Sequence, residues 1–226
     1  AGDIKYVGRD GTDYAESTTA PTNAGKYTAK VTIGGKTATA DFEITRGTVK
    51  PEVSFADWVY GEKASEPVVK GNAGNGKVTY EYKKAGDPDS TYKEVTDFSK
   101  IRPGEYTLRA NIAETENCDA GSATCNFKVS RHTADVDVSI DGWTYGDKAN
   151  QPAVSGNPSG SDVTYTYYRD RECTEKTDAS DGASSEGKVP SNAGTYYVKA
   201  EVSETEDYES GSAVAGFTIA KRKVGL

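Results

Sequence analysis

Trp58-Val59-Tyr60-Gly61 returns 85 positions later as Trp143-Thr144-Tyr145-Gly146. The same interval links Pro67 to Pro152, Gly71 to Gly156, Tyr80 to Tyr165 and Tyr82 to Tyr167. Past one loop of unequal length the interval becomes 90, and it then links Gly104 to Gly194, Tyr106 to Tyr196, Ala110 to Ala200 and Phe127 to Phe217. Self-similarity at a fixed interval marks a tandem array of one module. A partial copy stands in front of the two full ones. It holds Pro21-Thr22-Asn23-Ala24-Gly25-Lys26-Tyr27 and then Thr37–Ile44, without the Trp-x-Tyr-Gly segment.

The array divides as 1–46 (the C-terminal half of a module), 47–131 and 132–221 (complete modules), and 222–226 (the start of a following linker or strand). Modules of this length can bury a small core. The chain therefore reads as an excised piece of a longer protein. Half a module exposes an apolar face and open strand edges. Residues 1–46 are expected to lean on the second module or on a neighbouring molecule, unless they form a smaller complete sheet.

Within a module the residue pattern is β. Lys77–Lys83 (KVTYEYK) alternates with a period of two, as does Glu105–Ala113 (EYTLRANIA), so each presents one face to a core. Clusters such as Ala85–Ser90 (AGDPDS) and Glu114–Gly121 (ETENCDAG) read as turns. About seven short strands per module with regular turns is the pattern of a β-sandwich. The fold class is all-β: two complete tandem Ig-like β-sandwiches preceded by a partial one. The turn before the long strand carries Gly-x-Tyr in every copy: Gly25-Lys26-Tyr27, Gly104-Glu105-Tyr106 and Gly194-Thr195-Tyr196. The glycine suits a positive-φ turn, and the tyrosine matches the tyrosine corner of Ig-type sandwiches. Trp58, Tyr60, Gly61, Gly104, Tyr106, Trp143, Tyr145, Gly146, Gly194 and Tyr196 are accordingly expected to be structural.

The formal charge is −8. A nucleic-acid binder would show a basic face, and an acidic chain does not dock on anionic lipid. No apolar run reaches membrane-spanning length, and no signal peptide or sorting signal is evident. The single histidine, His132, falls at a module junction and reads as a solvated spacer residue, which argues against a His-based triad. Gly71–Gly76 lies between strands rather than opening a helix, and Ser90-Thr91-Tyr92-Lys93 lacks the helical setting of a Ser-x-x-Lys nucleophile. No enzyme and no cofactor are expected.

Three weaker site readings remain. Cys118 and Cys125 fall in the last hairpin of the second module, where their counterparts are Tyr208 and Ala215. A disulfide between them stands against two small buried thiols, and Cys173 is a spare thiol in the loop Arg169–Gly187. Glu114, Glu116 and Asp119 occupy a loop equivalent to Glu204, Glu206 and Asp207. Such loops can hold Ca²⁺ between modules; against this, the alternating Asp/Asn ligand ladder is missing, which favours a solvated hairpin tip. Tyr80, Tyr82, Tyr165, Tyr167 and Tyr168 either stack on sugars or face the core.

Together, Trp-x-Tyr-Gly, the downstream Pro and Gly, and Pro-x-Asn-Ala-Gly-x-Tyr resemble the Ig-like repeats of bacterial surface proteins, of the MBG type with a Tyr-Gly signature. The resemblance spans essentially the whole chain. It implies a location outside the cell, at the surface, and no fixed activity. The expected role is that of a non-catalytic stalk or spacer in a cell-surface or adhesion protein. The alternatives are modules that themselves bind host protein or glycan, through loops such as Arg169–Gly187, and an accessory spacer of a secreted polysaccharide-degrading enzyme. The expected state is a monomer, with intermolecular support for residues 1–46 as the variant.

Overall fold

The computed structural model describes residues 2–158, 160–177 and 189–225. The fold is all-β, with only two short 3-10 turns, Asp89–Thr91 and Phe98–Lys100, among the described residues. It divides into two compact units. The first comprises Ala1–Asp57, Ala64–Lys100 and Gly104–Lys128; the second comprises Trp58–Lys63, Ile101–Pro103 and Val129–Leu226.

The first unit begins with β1 (Lys5–Arg9), β2 (Gly25–Ile33) and β3 (Lys36–Ile44), a three-stranded antiparallel sheet in chain order. Gly34 and Gly35 at φ 57° and 77° make its tight hairpin. Residues 2–46 are thus a small sheet with its own aromatic centre. Tyr27 is 1% exposed. Tyr14 meets it edge-on at 5.7 Å and Phe42 stacks on it at 5.5 Å. Most of β3 stays exposed.

The rest of this unit holds β4 (Glu52–Ser54), followed after a gap by the later strands of the second module. In the second unit β5 (Trp58–Val59) lies parallel to Val129-Ser130. Back in the first, β6 (Val68–Lys70) pairs antiparallel with β4 into a two-stranded ribbon. A sheet follows, built from β7 (Val78–Lys84), β8 (Lys93–Glu94), β9 (Gly104–Ile112) and β10 (Gly121–Ser130), in the order β10-β9-β7-β8. The period-two reading of β9 holds: Tyr106, Leu108, Ala110 and Ile112 are buried and the residues between them are not. Phe127 stacks on Tyr106 at 5.4 Å, and Phe55 meets Phe127 at 4.8 Å and Phe98 at 4.9 Å.

The second unit repeats this plan. It adds β11 (His132–Thr133), β12 (Asp137–Ser139), β13 (Trp143–Thr144), β14 (Ala153–Ser155), β15 (Val163–Tyr168), β16 (Gly194–Val202), β17 (Tyr208–Glu209) and β18 (Gly211–Ala220). The main sheet runs β13-β18-β16-β15, and β12 pairs with β14 as the second layer. Its core gathers Val138, Tyr167, Tyr196, Val198, Ala200, Phe217 and Ile219, with Trp143 stacked on Phe217 at 5.2 Å.

The Gly-x-Tyr turn meets the positive-φ expectation at Gly104 (φ 156°) and departs from it in the other two copies. Gly25 and Gly194 do not adopt positive φ. Each glycine instead lies under the ring of its own tyrosine. An added Cβ would meet the hydroxyl of Tyr27 at 3.0 Å, of Tyr106 at 3.0 Å and of Tyr196 at 3.1 Å. Tyr27 Oη donates to the carbonyl of Asn23 at 2.8 Å, which closes the corner. Positive φ is required at another repeated pair, Gly71 (75°) and Gly156 (73°). There a Cβ would lie 2.1 Å from the carbonyl oxygen of Lys50 and 1.7 Å from that of Asp135.

Gly71→Ala and Gly86→Ala share positive φ, but nothing lies within 4 Å of a Cβ at Gly86. Gly86→Ala should cost about 1–2 kcal/mol from the left-handed backbone alone. Gly71→Ala should cost visibly more in urea melts, because a backbone carbonyl has to move.

Candidate functional site

The acidic loops keep Glu114, Glu116, Asp119, Glu204 and Glu206 exposed, as a solvated tip would. They also meet basic and amide groups from the preceding module. Glu114-Thr115-Glu116-Asn117-Cys118 and Glu204-Thr205-Glu206-Asp207-Tyr208 adopt the same turn. The N–H of Thr115 donates to the carbonyl of Cys118 and that of Thr205 to the carbonyl of Tyr208, both at 2.9 Å. The amides of Cys118 and Tyr208 donate back to the hydroxyls of Thr115 (3.2 Å) and Thr205 (3.1 Å).

Within the first unit, Arg46 Nη1 reaches Glu114 at 2.8 Å, and Asn23 Nδ2 donates to Glu116 at 3.1 Å. The Ala24 amide donates to Asn117 Oδ1 at 2.7 Å. Gly47 donates to the carbonyl of Asn117 at 2.8 Å and accepts from the Asp119 amide at 2.9 Å, so that Gly47 and Cys118 form a parallel β-bridge.

The second unit repeats the arginine pair and the linker bridge, while Arg102 replaces Asn23 and Pro103, which has no N–H, replaces Ala24. Arg131 Nη1 reaches Glu204 at 2.8 Å. Arg102 binds Glu206 (2.8 Å) and Asp207 (3.0 Å). His132 donates its amide to the carbonyl of Asp207 at 3.3 Å, and β11 runs parallel to β17 with His132 opposite Tyr208. Tyr208 is wedged edge-on between Tyr60 and His132, at 6.1 Å from each. The charges of Asp207 and then Glu206 raise the pKa of the Arg102 guanidinium above its ordinary value.

His132 is therefore half-buried in a strand, not a solvated spacer residue, and its Nδ1 is buried without a hydrogen-bond partner among the described residues. The described residues contain no group of three or more His, Cys, Asp or Glu arranged to hold a metal ion. Guanidinium groups face Glu114, Glu204, Glu206 and Asp207, and a neutral amide faces Glu116.

The proposed disulfide is not formed: Cys118, Cys125 and Cys173 are all free thiols. Cys118 lies in the clasped turn, packed where a Cβ on Gly74 would be 2.8 Å from its own. Cys125 lies within β10, four residues after Gly121. Burial raises the pKa of the Cys125 thiol above its ordinary value.

Among the tyrosines, Tyr167 and Tyr168 are buried. Tyr80 meets Phe98 at 5.8 Å, Tyr82 meets Tyr106 at 5.6 Å, and Tyr165 packs on the second unit's core. Tyr80, Tyr82, Tyr165 and Tyr167 face the core, whereas Tyr168, next to Tyr167 on the strand, is buried on the opposite face of the sheet. Trp58 is buried, while Trp143 is half-buried; Gly61 and Gly146 turn at φ 84° and 86°. Tyr60 belongs to the clasp, whereas Tyr145 is 49% exposed. Of the loop Arg169–Gly187, positions 178–187 lie outside the described residues. Its visible part is held by Asp170, whose carboxylate accepts from the amides of Thr174 (2.9 Å) and Glu175 (2.7 Å). Those amides lower its pKa.

The residues that sequence reasoning missed are Asn23, Arg46, Arg102, Asn117 and Arg131. A signal existed: Arg46 and Arg131 keep the 85-residue interval, as Glu114 and Glu204 keep the 90-residue one.

No family model matches the chain, and no curated protein matches it in sequence. Among solved structures it is similar to Drosophila N-cadherin EC1-4, at 12% identity and a TM-score of 0.31, covering 98% of this chain and 67% of that one. For Sidekick-1 immunoglobulin domains 1–5 the values are 13% and 0.23, covering 96% of this chain and 52% of that one. A SusE-like surface-located polysaccharide-binding protein from Bacteroides thetaiotaomicron gives 12% and 0.25, covering 96% and 55%.

A double-mutant cycle on Arg131→Ala and Glu204→Ala should give a coupling of about 0.2–1 kcal/mol, as for other exposed pairs, shrinking in 1 M salt as the charges are screened. For Asp170 the folded pKa lies below the unfolded value of about 3.9. Its contribution is complete above that value and is lost as pH falls through the lowered folded one. The Thr174 and Glu175 amide resonances should stay constant down to about pH 4 and move only below it; movement above would contradict the carboxylate cap.

Proposed function

We propose that this chain is a non-catalytic Ig-like repeat segment that acts outside the cell as a spacer in a bacterial surface or adhesion protein, of the MBG type that its motifs resemble. One observation carries the reading: two junctions in the chain use the same clasp at the same positions. Arg46·Glu114 answers to Arg131·Glu204, and Gly47·Cys118 answers to His132·Tyr208. A linker that pairs as a strand with the next module's turn loses backbone freedom, and flanking ion pairs fix its orientation. A spacer needs that property; a catalyst does not.

Replacing the three cysteines with alanine and placing spin labels at Ser65 and Ser155 gives the test. Pulsed EPR should return one narrow distance distribution, which broadens when Arg102 and Arg131 become alanine. A broad distribution before those substitutions would remove the spacer reading.

A second reading, binding of glycan or protein by the modules themselves, is favoured by a cluster found in one copy alone. The Arg109 guanidinium stacks on Tyr92 at 3.8 Å and reaches Glu81 at 2.8 Å, while Asn111 also donates to Glu81. The equivalent residues in the other full copy are Thr166, Lys199 and Glu201. A glycan and matrix-protein array decides this: retention that is lost in Arg109→Ala supports binding, and no retention leaves the spacer role alone.

A further inference from the structure

We propose that Lys221–Val224, with Asn192, Ala193 and Tyr145, is a docking surface for the acidic Glu-Thr-Glu-Asn/Asp turn of one more module of this chain's own kind. Each element of the clasp recurs here. Lys221 stands 90 positions after Arg131, and Val224 stands 90 after Ala134. Asn192-Ala193 repeats Asn23-Ala24, whose amides bind Glu116 and Asn117. Tyr145 repeats Tyr60, which packs on Tyr208.

The local frame is also the same. The Tyr60 amide donates to the carbonyl of Ser130 at 2.9 Å, and the Tyr145 amide donates to that of Ala220 at 2.8 Å. Burial is what differs. Val49 and Ala134, which follow the clasped linkers, are 6% and 7% exposed, whereas Val224 is 91% exposed. With the described residues, the backbone of Lys221–Gly225 makes no hydrogen bond. Arg222 instead turns its side chain onto the carbonyl of Tyr145 (3.0 Å) and onto Asp147, which holds the segment beside the main sheet. A cavity of about 580 Å³ opens between Tyr145, Asn192, Ala193 and Lys221–Val224.

The occupant follows from the two filled examples. Both are acidic turns with one sequence pattern, ETENC and ETEDY, and both add an extended backbone edge to the linker. Lys221, Arg222 and Lys223 supply the opposite charge. Another copy of the present chain is not the occupant, because its two such turns are already engaged and its first sheet ends in a Gly34-Gly35 hairpin without a carboxylate. This surface does not depend on the spacer reading.

The test extends the chain in register: residues 1–224 followed directly by 135–221. The amide of Arg222, equivalent to the His132 donor, should exchange about tenfold or more slowly than in the 226-residue chain. Glu204→Lys, Glu206→Lys and Asp207→Lys in the added copy alone should restore fast exchange while that copy's long strands stay protected. Unchanged Arg222 exchange beside a protected added copy overturns the proposal. A second arm covers an added copy that does not fold. A cyclised peptide of residues 202–211 is titrated into the labelled intact chain, and shifts confined to Tyr145, Asn192, Ala193 and 221–224 support the docking. Equal shifts from the charge-reversed peptide, shifts from unlabelled intact chain, or none overturn it.

Discussion

Each copy is organised by a tyrosine ring lying over the glycine two residues before it, at the mouth of the long central strand. Tyr27, Tyr106 and Tyr196 are all buried there, and each would collide with a Cβ on its own glycine. A Cβ below the ring would press on the tyrosine hydroxyl by a few tenths of an ångström, and the buried ring favours one register for the strand above it. Because side chains alternate, a slip of one residue would turn Leu108, Ala110 and Ile112, or Val198, Ala200 and Val202, out to water. Each large apolar member of those rows contributes about 1.5–3 kcal/mol by burial. The corner thus decides which face of the main sheet becomes core, and Phe127 and Phe217 complete it from the neighbouring strand.

The second layer depends on a different glycine. β4 and β12 are only three residues long, too short to hold position by their own ladders. Gly71 and Gly156 let the chain pass directly against the carbonyls of Lys50 and Asp135 at positive φ. Without that approach β6 and β14 would stand off from their partners, and Val53 and Val138 would lose their seat opposite Val69 and Val154.

The strands were legible because their information is local. The period-two patterns put β7 and β9 within a residue of their bounds. The role of the acidic turns was not legible, because their partners lie far away along the chain. Arg46 and Glu114 are separated by 68 residues, and Arg102 and Glu206 by 104. Read alone, Glu114, Glu116 and Asp119 are carboxylates in search of a cation, and calcium is the usual candidate. In the structure Glu114 faces the Arg46 guanidinium and Glu116 the Asn23 amide. The cysteine reading failed for a related reason. Cys118 and its counterpart Tyr208 were placed on the closing hairpin, whereas both lie in the turn that leaves the sheet to meet a linker.

The clasp also explains how a chain of net charge −8 arranges its basic residues. The turns carry the carboxylates, while the linkers and corners carry Arg46, Arg102, Arg131 and the run Lys221-Arg222-Lys223. Each exposed pair adds little stability by itself. Segregation still has a consequence that the pair energies do not capture. Two turns repel each other, as do two linkers, so turn meets linker and the wrong pairings are disfavoured. Backbone pairing at Gly47·Cys118 and along β11·β17 then caps strand edges that would otherwise be open to any extended chain. Charge selects the partner, and the β-bridge sets its direction. That division of labour lets one short motif join module to module in a fixed order.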